Sequence, residues 1–145
     1  MGDKQKEHEI KKSLRRETRR QWIKDKKCRG CGDGNTIKGD FCLQCYLINV
    51  SAKRLGTGRY WKDLMNLMKK QNFTCALTGD KLKWGGDIEL DHIIPKSRGG
   101  KDELSNVRWV SKIANRVKQS LIDSELFEIC QKMLTFSKSY NSLKA

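Results

Sequence analysis

Residues Leu90 to Gln119 read LDHIIPKSRGGKDELSNVRWVSKIANRVKQ, and this stretch decides the fold. Ile88, Leu90 and Ile93–Ile94 form a short apolar run that Pro95, the only proline of the chain, should end, because proline removes a ladder donor. Lys96 to Lys101 (KSRGGK) is a Gly-Gly turn carrying three cations. Val107 to Val110, rich in β-branched and aromatic residues, predicts a second strand. Ser111 is placed to cap a helix over Lys112 to Ser120, on which Ile113 and Val117, four apart, are expected to face the core. The order strand, loop, strand, helix puts Asp91 and His92 on a strand and Asn115 on the helix that crosses it.

Those residue types suit one chemistry. Phosphodiester hydrolysis requires an activated water, neutralised charge on the phosphoryl group and help for the departing oxyanion. His92 is the neutral-pH base of the segment, since the other histidine, His8, lies in a polar basic arm. Asp91 and Asn115 offer hard oxygens, suited to Mg²⁺ or Mn²⁺ rather than to a structural zinc. Neighbouring side chains on a regular strand point to opposite faces, so Asp91 and His92 could not both touch one metal unless the strand end were distorted, as Pro95 and the glycine turn would allow. Asn106 alone reads as a turn residue, whereas Asn115 is a mediocre helix former in mid-helix.

Taken together, DH-x13-N-x8-N in a strand–strand–helix context resembles the active-site motif of the HNH endonucleases, the ββα-metal fold, in its variant with a terminal Asn. The likeness spans roughly Phe73 to Met133, including CALTG (Cys75–Gly79) and the trailing helix, and is strongest from Asp91 to Lys118. It implies His92 as general base, Asp91 and Asn115 as ligands of one catalytic cation, and Asn106 as the residue that bonds backbone across the strands to fix the loop holding His92. Many members carry a further zinc site beside this motif, but Cys75-Ala-Leu-Thr78 has no second cysteine, so none is expected here. Cys75 and Cys130 read instead as small buried apolar residues.

Cys28-Arg-Gly-Cys31-Gly and Cys42-Leu-Gln-Cys45, ten residues apart, read as one closed four-cysteine zinc site of structural role. The rival is a disulfide pair in a secreted domain. With no hydrophobic leader and a densely charged start, a reducing, cytoplasmic setting (a bacterial or phage-infected cell) is the expectation.

Lys and Arg number 31 against 17 Asp and Glu, a net charge of +14 on 145 residues, which favours a phosphate backbone over a neutral small molecule. No long apolar span points to a membrane. Between Lys4 and Lys27 stand eleven basic and four acidic residues, a solvated arm or helix that could track DNA. Lys96, Arg98, Arg108, Arg116 and Lys118 are the cations nearest the motif and the expected DNA contacts.

The expected architecture is therefore α+β: a basic arm or helix (1–27), a zinc module (28–51), a linker and helix (52–72), and a nuclease core with a C-terminal helix (73–145). Trp61, Leu64, Met65 and Met68 fall at helical spacing. On the last helix, capped by Asp123 or Ser124, Leu126, Phe127, Cys130, Met133 and Leu134 lie on or near one face. The function implied is a metal-dependent DNA endonuclease of the phage or homing kind that leaves 5′-phosphate ends. One site cuts one strand, so a double break needs a homodimer or two visits. The rival reading is a zinc-containing DNA-binding or regulatory protein with an idle core; an RNA target has no signature behind it.

Overall fold

The computed structural model describes the backbone from Gly2 to Ser142 and the side chains from Lys4 to Ser139. Met1 and residues 143–145, at the ends of the expected first and last segments, lie outside the described residues. The chain divides into two compact units, one running to Met65 and including Lys83–Gly86, the other comprising Asn66–Leu82 and the chain from Asp87 onward. Among the described residues, no helix is long and apolar enough to cross a membrane.

In the first unit, α1 (Gly2–Lys24) is a single helix whose side chains from Lys4 onward are exposed except for a half-buried Trp22. Glu7 and Lys11, a helical turn apart, form an exposed ion pair that adds a few tenths of a kcal/mol at most. The helix ends where Lys26 turns left-handed and the Lys27 amide donates back to the Trp22 carbonyl. α2 (Leu43–Leu55) buries Leu47, Ser51 and Leu55 and stops at Gly56, whose positive φ suits a helix C-terminus. Residues 52–55, read as linker from their two nearby glycines, are thus the last turn of this helix. α3 (Trp61–Lys70) begins in this unit and continues into the second, with Leu64 and Met68 buried as its spacing predicts.

The second unit is built on an antiparallel pair, β1 (Ile88–His92) and β2 (Val107–Ser111). The register sets Ile88 opposite Ser111, Leu90 opposite Trp109, Asp91 opposite Arg108 and His92 opposite Val107. One face therefore carries Ile88, Leu90, His92, Val107 and Trp109, all nearly or fully buried; the other carries Glu89, Asp91, Arg108 and Val110. Two strands alone are marginal in water, so other elements must cover them. The outer edge of β2 is closed by Gln71, whose amide accepts from the Trp109 N–H at 2.8 Å and donates to its carbonyl at 2.8 Å. α4 (Lys112–Lys118) follows directly, its first turn capped by the Ser111 hydroxyl on the Ala114 amide at 3.2 Å.

Several expectations need correcting. β1 ends at His92, three residues before Pro95; it stays in register to that residue, and the chain bends directly after it, at Ile93 and Ile94. α4 buries Ala114 and Lys118 and leaves Ile113 and Val117 exposed, the reverse of the expected phase. The reason is electrostatic: a buried carboxylate on β1 needs the Lys118 ammonium, and bringing it inward turns the two apolar residues outward. On α5 (Asp123–Ser142), Leu126 is buried, but Phe127, Met133 and Leu134 are exposed and Cys130 is only half-buried. Asp123 does not cap α5, since its carboxylate is taken by Arg108; Glu125 instead accepts from the Ile122 amide at 3.1 Å.

Candidate active site and metal centre

β1 and α4 meet in step. Asn115 Nδ2 donates to Glu89 Oε2 at 2.5 Å, and one helical turn later Lys118 Nζ donates to Asp91 Oδ1 at 3.1 Å. Lys118 is fully buried and also donates to the His92 carbonyl at 2.7 Å. The other oxygen of Asp91 accepts from Arg108 Nε at 3.1 Å, the residue directly across the strands. Arg108 then grips Asp123 with both terminal nitrogens, at 2.6 and 2.5 Å. Burial opposes the Arg108 charge, but Asp123 and then Asp91 more than offset it and raise its pKa; in return Arg108 holds the Asp123 carboxyl below its usual range.

Two of the five cations expected on DNA are therefore internal: Lys118 and Arg108 neutralise Asp91. Lys96, Arg98 and Arg116 are exposed, with Lys96 bonded to Asp102 at 2.7 Å and Arg98 to Glu125 at 3.3 Å. Arg and Lys of this kind are mostly solvated, so their number near the site says little alone.

His92 is almost fully buried at the end of β1, and its Nε2 lies 2.9 Å from Asp102 Oδ1. Asn106 secures the intervening loop by three bonds. Its Oδ1 accepts from the Ile94 amide at 2.9 Å, while Nδ2 donates to the carbonyls of Ile94 at 3.1 Å and Lys101 at 3.0 Å. Gly100 lets the loop close so tightly: a Cβ there would stand 1.8 Å from the Ile94 carbonyl oxygen.

Sequence reasoning passed over Glu89, Asp102 and Asp123. Glu89 was legible, because it sits two before Asp91 on a strand and must share its face. Asp102 lies in a loop without periodicity, and Asp123 has the appearance of a helix cap.

The donor set suits a hard cation. A carboxylate has about four lone-pair directions, and Arg108 and Lys118 each take one from Asp91. With Nδ2 committed to Glu89, Asn115 keeps Oδ1 as a donor. Oxygen ligands of this kind fit Mg²⁺ or Mn²⁺, which hold few protein groups and several waters.

The cysteines form the second centre. The Sγ atoms of Cys28, Cys31, Cys42 and Cys45 lie within 4.8 Å of one another, and those of Cys31 and Cys42 are 3.7 Å apart, the separation that tetrahedral bonds of about 2.3 Å produce. Burial works against a thiolate at Cys28, yet amide donors from Cys42, Cys31 and Gly30 bring its pKa down to about 6. Gly30 has no room for a side chain, since a Cβ would lie 2.7 Å from the Cys45 sulfur. The four sulfurs can hold one zinc. The first unit buries few apolar residues, so its fold should depend on the ion. Metal analysis of the purified chain is expected to give one zinc per chain, and chelation to abolish the protection of α2 amides from exchange. Unchanged α2 protection after complete zinc removal would show the metal to be dispensable.

Residues 75–80 repeat the backbone pattern of this knuckle. Cys28 N–H donates to the Asp33 carbonyl and Gly32 N–H to the Cys28 carbonyl; Cys75, Asp80 and Gly79 make the same two bonds, at 2.7 and 2.9 Å. Thr78 stands where the second cysteine would be, and the Cys75 sulfur accepts from the Ser111 amide at 3.2 Å.

A strand–loop–strand–helix unit with His, Asn and Asn at these positions defines a small ββα domain with acidic, amide and imidazole groups at one strand end. Residues 75–122, a third of the chain, match a family model described as HNH endonuclease. A comparison with curated proteins finds no match.

Proposed function

We propose that this chain is a metal-dependent DNA endonuclease in which His92 is the general base and Asp91 and Asn115 hold one Mg²⁺ or Mn²⁺. The reading rests above all on the α4–β1 contact, which gathers Glu89, Asp91, Asn115 and Lys118 beside the strand end that bears His92. His92 takes a proton from water as the water oxygen bonds to phosphorus, and the bond to the 3′ oxygen breaks; that oxygen leaves and is protonated by solvent. The products are a 5′ phosphate and a 3′ hydroxyl. The cation, when bound, supplies charge stabilisation to the phosphoryl and leaving oxygens. Asn106 keeps the His92 loop closed and makes no contact with the reacting atoms. The four-cysteine module serves as a structural zinc site, and α1, exposed and strongly basic, adds sequence-independent affinity for the DNA backbone.

A rival reading draws on one observation: both oxygens of Asp91 already receive a cation, as they would in an idle core that only binds DNA. Supercoiled plasmid separates the two. The nuclease reading expects Mg²⁺- or Mn²⁺-dependent nicks, blocked by EDTA, that ligase reseals without prior phosphorylation. A gel shift with no cleavage of plasmid, host or phage DNA would support the rival.

A further inference from the structure

The His92–Asp102 contact reaches beyond the proposed chemistry. A carboxylate can only accept hydrogen bonds, so the ring nitrogen facing Asp102 must carry the proton. That nitrogen is Nε2, 2.9 Å from Oδ1. A neutral imidazole has one N–H, hence its lone pair must be on Nδ1. Asp102 is itself held: Lys96 Nζ donates to Oδ2 at 2.7 Å, and the Lys101 carbonyl next to it is fixed by Asn106. Lys96, and then His92, keep the Asp102 carboxyl below its usual range, so it is ionised at neutral pH. On the other side, the Lys118 ammonium binds the His92 carbonyl and stabilises the backbone position of the residue.

We propose that Asp102 is a positioning residue that locks His92 as the Nε2–H tautomer, leaving Nδ1 as the nitrogen that accepts a proton from water. The proposal rests on the nuclease reading for its consequence, but the tautomer exists whether or not DNA is cut. It also gives the KSRGGKD loop a role apart from phosphate contact: one lysine–aspartate pair on that loop orients the base. Partners that fix a histidine's tautomer are worth about 10–100-fold at metal-bound rings and up to about 10⁴-fold at a general base.

The test is a long-range ¹⁵N–¹H correlation spectrum of the labelled full chain under conditions where imidazole is neutral. The chain has only two histidines, and exposed His8 serves as an internal reference for an unrestrained ring. His92 is expected to show a protonated Nε2 and an unprotonated Nδ1, against a tautomer mixture for His8. Asp102→Asn can either accept from or donate to the ring, so it should move His92 toward a mixture and lower kcat by about 10–10⁴-fold with KM little changed. A mixed or Nδ1–H His92 in the unaltered chain overturns the proposal without any variant having to fold. So does an Asp102→Asn chain with the Nε2–H signature and full activity. An inactive chain that still shows the Nε2–H signature sinks the nuclease reading and leaves the pairing supported.

Discussion

His92→Ala is expected to lower the single-turnover rate of DNA cleavage by about 10²–10⁴-fold, the usual span for a lost general base. The fold should survive. His92 contributes its carbonyl, not its ring, to Lys118, and the backbone persists in the variant. Asp102, about one-third exposed, keeps Lys96 and gains water in place of the ring. DNA affinity, carried by exposed cations, should be unchanged, which separates loss of chemistry from loss of binding. Cleavage of one labelled duplex by excess enzyme, with binding measured in Ca²⁺, checks both. A variant that cuts at the wild-type rate would remove His92 from the reaction, and the search for a base would move to Glu89.

Lys118→Ala should cost about 3–5 kcal/mol of stability, because it leaves the buried Asp91 carboxylate short of one of its two cations. A lysine that merely touched phosphate would behave otherwise: stability would hold, and the salt dependence of DNA binding would weaken by about one unit of slope. Amide exchange at Trp109 and Val110, in the buried strand across from Asp91, reads the unfolding of this unit directly. Lys118→Met, which keeps much of the stem volume, should lose less than alanine but more than any exposed lysine. If the alanine variant exchanges as slowly as the unaltered chain, Arg108 alone satisfies Asp91 and the buried ammonium is dispensable. The same network bears on Asp91→Ala, which would leave the buried Lys118 ammonium without its carboxylate while Arg108 keeps Asp123; its loss of activity would therefore be a mixed readout, unlike that of His92→Ala.

The elements around the site were legible from local signals. Alternating apolar residues marked β1 and β2, Ser111 marked the start of α4, and Cys-x-x-Cys twice over marked a metal site, because each of these depends on neighbours within a few residues. α4 shows where local reading stops. Ile113 and Val117 satisfy helical spacing, yet a seven-residue helix fits either phase, and the choice fell to Lys118 and a carboxylate 27 positions earlier. The helix pattern was right and its orientation wrong.

The cations around the motif divided on the same principle. Lys96, Arg98, Arg108, Arg116 and Lys118 are alike in sequence, since nothing local states which has an acid waiting across a strand or over a helix. Only the pairing of β1 with β2 puts Arg108 against Asp91, only the start of α5 brings it Asp123, and only the packing of α4 buries Lys118. By itself the sequence determined the chemistry at hand: a histidine, two asparagines and an aspartate in strand–strand–helix order, four thiols at metal spacing, and a surplus of positive charge. Tertiary structure decided which partners those groups keep, that Asp91 is neutralised from within, that Glu89 faces Asn115 and that Asp102 faces the imidazole. The physical reason is that charge pairing inside a protein is set by distances of about 3 Å in space, which a sequence constrains only after the chain has folded.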